Sequence, residues 1–107
     1  MYEVMILPLA EEDIINNTDY IAFEKKAPET ALELAMGFRN SIAKLEFMPR
    51  PHELDEDEEL ALRGIRKCYY KNYKIYFFID EKNGIVYVLR VLHMLVNAKP
   101  LLLNIGF

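Results

Sequence analysis

The chain of 107 residues has one cysteine, four glycines, two histidines and no long apolar run. A single cysteine excludes an intramolecular disulfide framework and any multi-cysteine zinc or iron–sulfur site. Gly37, Gly64, Gly84 and Gly106 are scattered, which excludes a glycine-rich phosphate loop. The most apolar stretch, Asn83 to Ala98, is broken by Arg90 and His93, so no transmembrane helix and no membrane partner are expected. Met1 to Ala10 carries Glu3 and no basic region, so no signal peptide is expected and a cytoplasmic domain is the default. Hydrophobic residues make up 52%, which excludes disorder as the main state. The length suits a single domain over 1–107 that hides roughly 60–70% of its unfolded surface.

The net charge of −4 conceals an asymmetry. Residues 1–59 hold 5 Lys/Arg and 15 Asp/Glu, giving −10, whereas residues 60–107 hold 8 and 2, giving +6. A basic C-terminal half attracts phosphate or an acidic partner chain. The alternative is that the two halves neutralise each other.

Tyr2, Val4 and Ile6 alternate with Glu3 and Met5, which predicts a first strand over residues 1–7. Pro8 ends it and opens a helix over about 9–25, with Glu11, Glu12 and Asp13 where the helix dipole favours carboxylates. Ala10, Ile14, Thr18, Ile21 and Ala22 share one face of that helix. After Pro28, the residues Ala31, Leu34, Ala35, Phe38, Ile42 and Leu45 recur every three or four positions, until Met48-Pro49-Arg50-Pro51 stops the pattern. A helical hairpin over about 9–47 follows. Residues 52–59 carry six carboxylates and read as a solvated acidic loop.

The period then changes to two, predicting strands over 62–70, Tyr73 to Asp80 and Ile85 to Leu92. Lys71-Asn72 and Asn83-Gly84 supply the turns of an antiparallel meander over about 62–93. The expected fold is α+β: an N-terminal strand, a helical hairpin, then three antiparallel strands, with the helices on one face of a small sheet. The other face is expected to be open for function. The tail, residues 98–107, is apolar in Leu101, Leu102, Leu103, Ile105 and Phe107. It either packs on the domain or waits for a partner.

On the middle strand, Lys74, Tyr76, Phe78 and Asp80 alternate with Ile75, Phe77 and Ile79 and point away from the hairpin. Arg66 shares a face with Cys68 and Tyr70, Arg63 opens the meander, and Arg90 and His93 close it. Arginine and lysine stabilise charge developing on a phosphodiester, histidine transfers protons near neutral pH, and exposed tyrosine stacks on bases. An ordinary solvated face fits the same residues. His93 reads equally as a strand-end histidine, and Cys68 lacks the surroundings of a nucleophile. His52 and the acidic run have no recognised metal-ligand spacing, so neither metal nor cofactor is expected.

The ordered set of segments resembles the RelE/ParE toxin superfamily of type II toxin–antitoxin systems. It comprises Tyr2-Glu-Val-Met-Ile-Leu-Pro8, Ala10-Glu-Glu-Asp13-Ile14, Tyr20-Ile-Ala22 leading to Pro28 and Ala31, and Leu45 with Pro49. It continues with Gly64-Ile65-Arg66, Tyr73-Lys-Ile-Tyr-Phe-Phe-Ile-Asp80 and Val88-Leu-Arg-Val-Leu-His93. Arg90-Val-Leu-His93 resembles the ParE-like, plasmid-stabilisation branch most. The resemblance implies a toxin that inhibits growth and is neutralised by a cognate antitoxin. ParE-like members poison DNA gyrase, which is the reading preferred here.

RelE-like members are ribosome-dependent mRNA endoribonucleases, metal-independent, and on that reading Arg66, Lys74, Arg90 and His93 are the catalytic residues. Arg63, Tyr73 and Tyr76 then bind substrate. Leu101, Leu102, Leu103 and Phe107 are the expected partner contacts, on a tail the fold does not need. Relatives often continue with arginines after the position of His93, but this chain has Met94-Leu-Val-Asn97. That departure leaves a third reading, a non-toxic remnant that still binds antitoxin.

Overall fold

The extended start of the chain is short because Pro8 cannot continue a ladder. A computed structural model describes residues 1–49 and 52–105. Its first strand, β1 (Glu3–Ile6), is followed by α1 (Pro8–Asp19), which ends in one π-helical turn at Tyr20–Glu24. The second helix, α2 (Pro28–Ala43), ends in a 3₁₀ turn at Lys44–Glu46. Both helices open on proline, whose missing N–H is no loss in a first turn. Most of the stripe read from the sequence is buried: Ala31, Leu34, Phe38 and Ile42 on α2 and Leu45 in the 3₁₀ turn, with Ala35 half-buried.

The meander consists of β2 (Ile65–Tyr70), β3 (Tyr73–Asp80) and β4 (Ile85–His93). Tyr70 pairs with Tyr73 across the turn at Lys71-Asn72, where Lys71 has a φ of 51°. The second turn is wider than Asn83-Gly84 alone, because Asp80 pairs with Ile85. The Asp80 carboxylate accepts from the Asn83 N–H at 3.2 Å, and Gly84 supplies a φ of 66°. The sheet has four strands in the order β1-β4-β3-β2, with β1 parallel to β4 and the other pairs antiparallel.

One irregularity governs both faces. Phe77 pairs with Val88 and Tyr76 with Arg90, so Leu89 is an extra residue in β4. An inserted residue reverses the alternation that follows. Val86, Val88 and Val91 therefore join Ile75, Phe77 and Cys68 against α1 and α2. Leu89 and Leu92 join Ile65 and Tyr76 on the opposite face. On the hairpin side, the Phe38 ring meets Tyr70 and Tyr73 edge-on, with centroids 5.7 and 5.0 Å away. A Cβ at Gly37 would lie 1.9 Å from the Tyr70 ring, so that contact requires glycine.

The expectation of an open second face is corrected. Leu60 of α3 (Glu58–Leu62), and Ala98 and Leu102 at α4 (Lys99–Leu103), pack there with Ile65, Tyr76, Leu89 and Leu92. A face bearing that many apolar side chains must be covered. Two further expectations change with it. Over its described residues, 98–105, the tail packs on the domain instead of waiting for a partner, with Leu102 fully buried. The acidic run is not simply solvated, since α3 starts within it, capped by Asp57, and Asp55 is buried. Consequently β2 begins at Ile65, three residues later than expected, after Gly64 turns the chain with a φ of 78°.

Burial pushes the Cys68 thiol up to about 11 from 9.0. Burial also pushes the Tyr76 hydroxyl up to about 12 from 10.0, with smaller contributions from nearby charges. Both groups are held neutral, so their contribution to stability is complete below the unfolded-state values and disappears as pH rises through the folded-state values. Denaturant midpoints measured against pH should fall from about pH 9 to 12. A Cys68→Val variant should lose the part between about pH 9 and 11, and an unchanged curve would contradict the burial argument.

Candidate functional site

Cross-strand pairing assigns each candidate to a face. Arg66 lies opposite Phe77, on the hairpin side, and its Nη1 donates to the His52 carbonyl at 2.8 Å. Lys74 lies opposite Tyr69 and Leu92, on the second face. His93 lies opposite Tyr73, with the rings edge-on at 5.3 Å, and its Nδ1 accepts from the Leu95 N–H at 3.2 Å. Arg66 and His93 thus lie on the hairpin side, but their β3 partners, Phe77 and Tyr73, are roughly 13 Å apart along the strand.

Arg90 is engaged by α1. Its Nε and Nη2 donate to the Asp13 carboxylate at 2.7 and 2.8 Å, in a pair whose side chains are 14% and 11% exposed. The hydrogen bond to Asp13 holds the Arg90 guanidinium above its ordinary value, against the opposing effect of burial. By register Arg90, opposite Tyr76, shares the second face with Lys74, whereas Arg66 and His93 lie on the hairpin side, so the four residues named for catalysis are divided between two faces.

The substrate candidates also separate. Tyr76 is 3% exposed and belongs to the second core cluster. Tyr73 is half-buried between Phe38 and His93. Arg63 is exposed, donates to the Leu103 carbonyl at 3.4 Å, and lines a cleft of about 460 Å³ with Phe78, Asp80 and Tyr87. On α4, Leu101 and Leu103 are half-buried, and the buried Leu102 offers nothing to a partner in this conformation. Phe107 lies outside the described residues.

Sequence reasoning missed Lys67. It lies opposite Tyr76, so it shares the second face with Tyr69 and Lys74. Its Nζ approaches Asp55 at 3.4 Å and pairs with Glu56. Burial pulls the Lys67 ammonium down, but the Glu56 hydrogen bond and the Asp55 charge outweigh it and hold the group above its ordinary value. The lysine in turn holds Glu56 below the usual carboxylate range. Counting back from the Lys71-Asn72 turn would have placed Lys67 beside Tyr76. Arg66 drew attention instead because it sits in the motif. Lys99 pairs with Asp57 at 3.0 Å and Glu59 at 3.5 Å. Acidic residues 55–59 thus meet basic residues of the C-terminal half. Among the described residues, no group of three or more His, Cys, Asp and Glu could hold a metal ion. No helix among them is long and apolar enough to cross a membrane.

The chain is thus a helical hairpin on one face of a mixed four-stranded sheet, with short helices on the other. The family model for the ParE toxin of type II toxin–antitoxin systems matches residues 4–95. The chain belongs to that ParE toxin family. Among solved structures, one described as the chromosomal ParDE toxin–antitoxin system from P. aeruginosa aligns with a TM-score of 0.70 at 16% identity. That alignment covers 87% of this chain and 96% of the other. A chain of the toxin–antitoxin complex RelBE2 from Mycobacterium tuberculosis aligns with a TM-score of 0.58 at 25% identity, covering 86% and 90%. No curated protein matches the chain.

The Asp13–Arg90 pair predicts its own mutational signature. Removing one partner leaves a largely buried charge, so Asp13→Ala should lower stability by about 3 kcal/mol in urea denaturation. Asp13→Leu combined with Arg90→Met should lose clearly less than the two single changes added together. Additive losses, or single changes below about 0.5 kcal/mol, would contradict the pairing.

Proposed function

We propose that this chain is a cytoplasmic toxin that arrests growth by binding DNA gyrase and is neutralised by a cognate antitoxin. The observation that carries the reading is the dispersal of its candidate catalytic groups. Arg90 is held by Asp13, Arg66 faces the His52 carbonyl, and Lys74 lies across the sheet from both Arg66 and His93. Phosphodiester cleavage needs proton transfer and charge stabilisation within hydrogen-bond reach of one phosphate. A toxin that acts by contact has no such requirement. Membership of the ParE family supports the same direction. The half-buried Leu101 and Leu103, and the exposed Met94, Leu95 and Val96, are surface available to a protein partner.

The alternative is a RelE-like, ribosome-dependent mRNA endoribonuclease. The observation favouring it is the shared face of Lys67, Tyr69 and Lys74, although Asp55 and Glu56 neutralise Lys67. A non-toxic remnant that binds antitoxin is the third reading, resting on the missing arginines after His93.

Growth and transcript ends after induction in a bacterium separate the three. A triple variant, Arg66→Ala/Lys74→Ala/His93→Ala, should arrest growth as the parent does, with no new ends inside translated codons. Codon-positioned ends that vanish in the triple variant would establish the nuclease instead. Absence of arrest by the parent chain would leave the remnant.

A further inference from the structure

In the order β1-β4-β3-β2, β2 is an outermost strand, and such an edge invites another chain to pair with it. Here the chain's own acidic segment lies against it. The Asp55 N–H donates to the Ile65 carbonyl at 2.9 Å, and Leu54 forms an antiparallel bridge with Arg66. The Arg66 guanidinium holds the His52 carbonyl at 2.8 Å. The carboxylates of Asp55 and Glu56 close on Lys67, whose side chain is only 8% exposed. An acidic segment of the chain thus makes one antiparallel bridge to an edge strand, with two of its carboxylates on a strand lysine.

The attachment is short. Among the described residues, the Leu54–Arg66 bridge is the only strand-type pairing on the outer side of β2. The Glu56 side chain is 77% exposed, so a competing carboxylate can approach the ion pair from solvent. The Glu56 half of the cluster is therefore weakly held, whereas Asp55, whose side chain is 7% exposed, is the buried half that a partner's carboxylate must replace. Beyond the segment, β2 continues from Lys67 to Tyr70, next to an opening of about 600 Å³ lined by His52, Glu53, Glu56, Lys67 and Tyr69 among others.

We propose that residues 52–56 are a displaceable internal segment that keeps the β2 edge closed until an acidic, extended segment of a protein partner replaces it on β2 and Lys67. The segment is an autoinhibitory contact: a partner must first displace it, which weakens apparent binding by the fraction of molecules in which the edge is open. The biological meaning rests on the protein-partner reading above, but the test does not use growth arrest or gyrase. Its failure would leave that reading standing.

The probe is a terminally blocked peptide with the sequence of residues 52–56, compared with the same peptide carrying Gln and Asn for its acids. With the full chain, the acidic peptide should speed exchange of the Asp55 amide as the internal segment lifts, and the neutral peptide should not. An E56Q variant, altered only at an exposed side chain, should bind the acidic peptide about three- to tenfold more tightly. Unchanged Asp55 exchange at saturating peptide would overturn the proposal, as would equal affinity of parent and E56Q. Equal effects of the two peptides would overturn it too, as would displacement of the segment by single-stranded RNA in preference to the acidic peptide.

Discussion

The Asp13 carboxylate joins the helical hairpin to the sheet. β1 pairs with β4 only as far as Val88, so the main-chain groups of β4 beyond that point lack a strand partner on that side. α1 supplies one with side chains: Asp13 accepts from the Val91 N–H at 3.0 Å, and Asn17 donates to the Val91 carbonyl at 3.3 Å. Buried main-chain groups must be paired, and a helix cannot do so with its own backbone. The same carboxylate receives Arg90, the residue directly after the bulge at Leu89. The bulge, the position of α1 and the placement of Arg90 are therefore one arrangement.

The bulge also explains why the sheet has two dry faces. Shifting the alternation of β4 by one residue turns Leu89 and Leu92 toward the side carrying Tyr76 and Ile65. That side needs a cover, and the chain makes it from two five-residue helices at either end of the meander. The cover brings opposite charges together. Asp55, Glu56, Asp57 and Glu59 meet Lys67 and Lys99, so much of the contrast between an acidic and a basic half is resolved inside the molecule. Of the two meanings open to that asymmetry, internal neutralisation accounts for these lysines, and the charge of the half-buried Lys74 also acts on Glu56, while Lys71 is exposed over the Tyr70 ring.

The hairpin and the meander were legible because long periodic patterns and proline boundaries signal them without tertiary help. The stripe from Ala31 to Leu45 and the turn at Lys71-Asn72 are examples. The parallel pairing of β1 with β4 was not legible, because two strands almost eighty residues apart leave no local trace of their pairing. The bulge was hidden for a related reason: Val-Leu-Arg-Val-Leu reads as plain alternation until its partner strand fixes the register. Missing it made Arg90 look like one more free cation at the end of a strand, when its partner Asp13 lies 77 residues away. The acidic run misled in the opposite way. Six carboxylates suggest solvent, but Asp57 caps a helix and Asp55 faces a lysine that composition alone does not pair with it. Site residues were found as residue types, whereas their division between two faces needed the register.

Together these features describe a toxin of the ParE family in which Lys67, Arg90 and Lys99 are paired with carboxylates of the acidic half. The most direct test is DNA supercoiling by purified gyrase with the purified chain added, run beside programmed ribosomes carrying a labelled message. The account predicts loss of supercoiling with the message left intact. Undiminished supercoiling together with cleavage of the ribosome-bound message would contradict it.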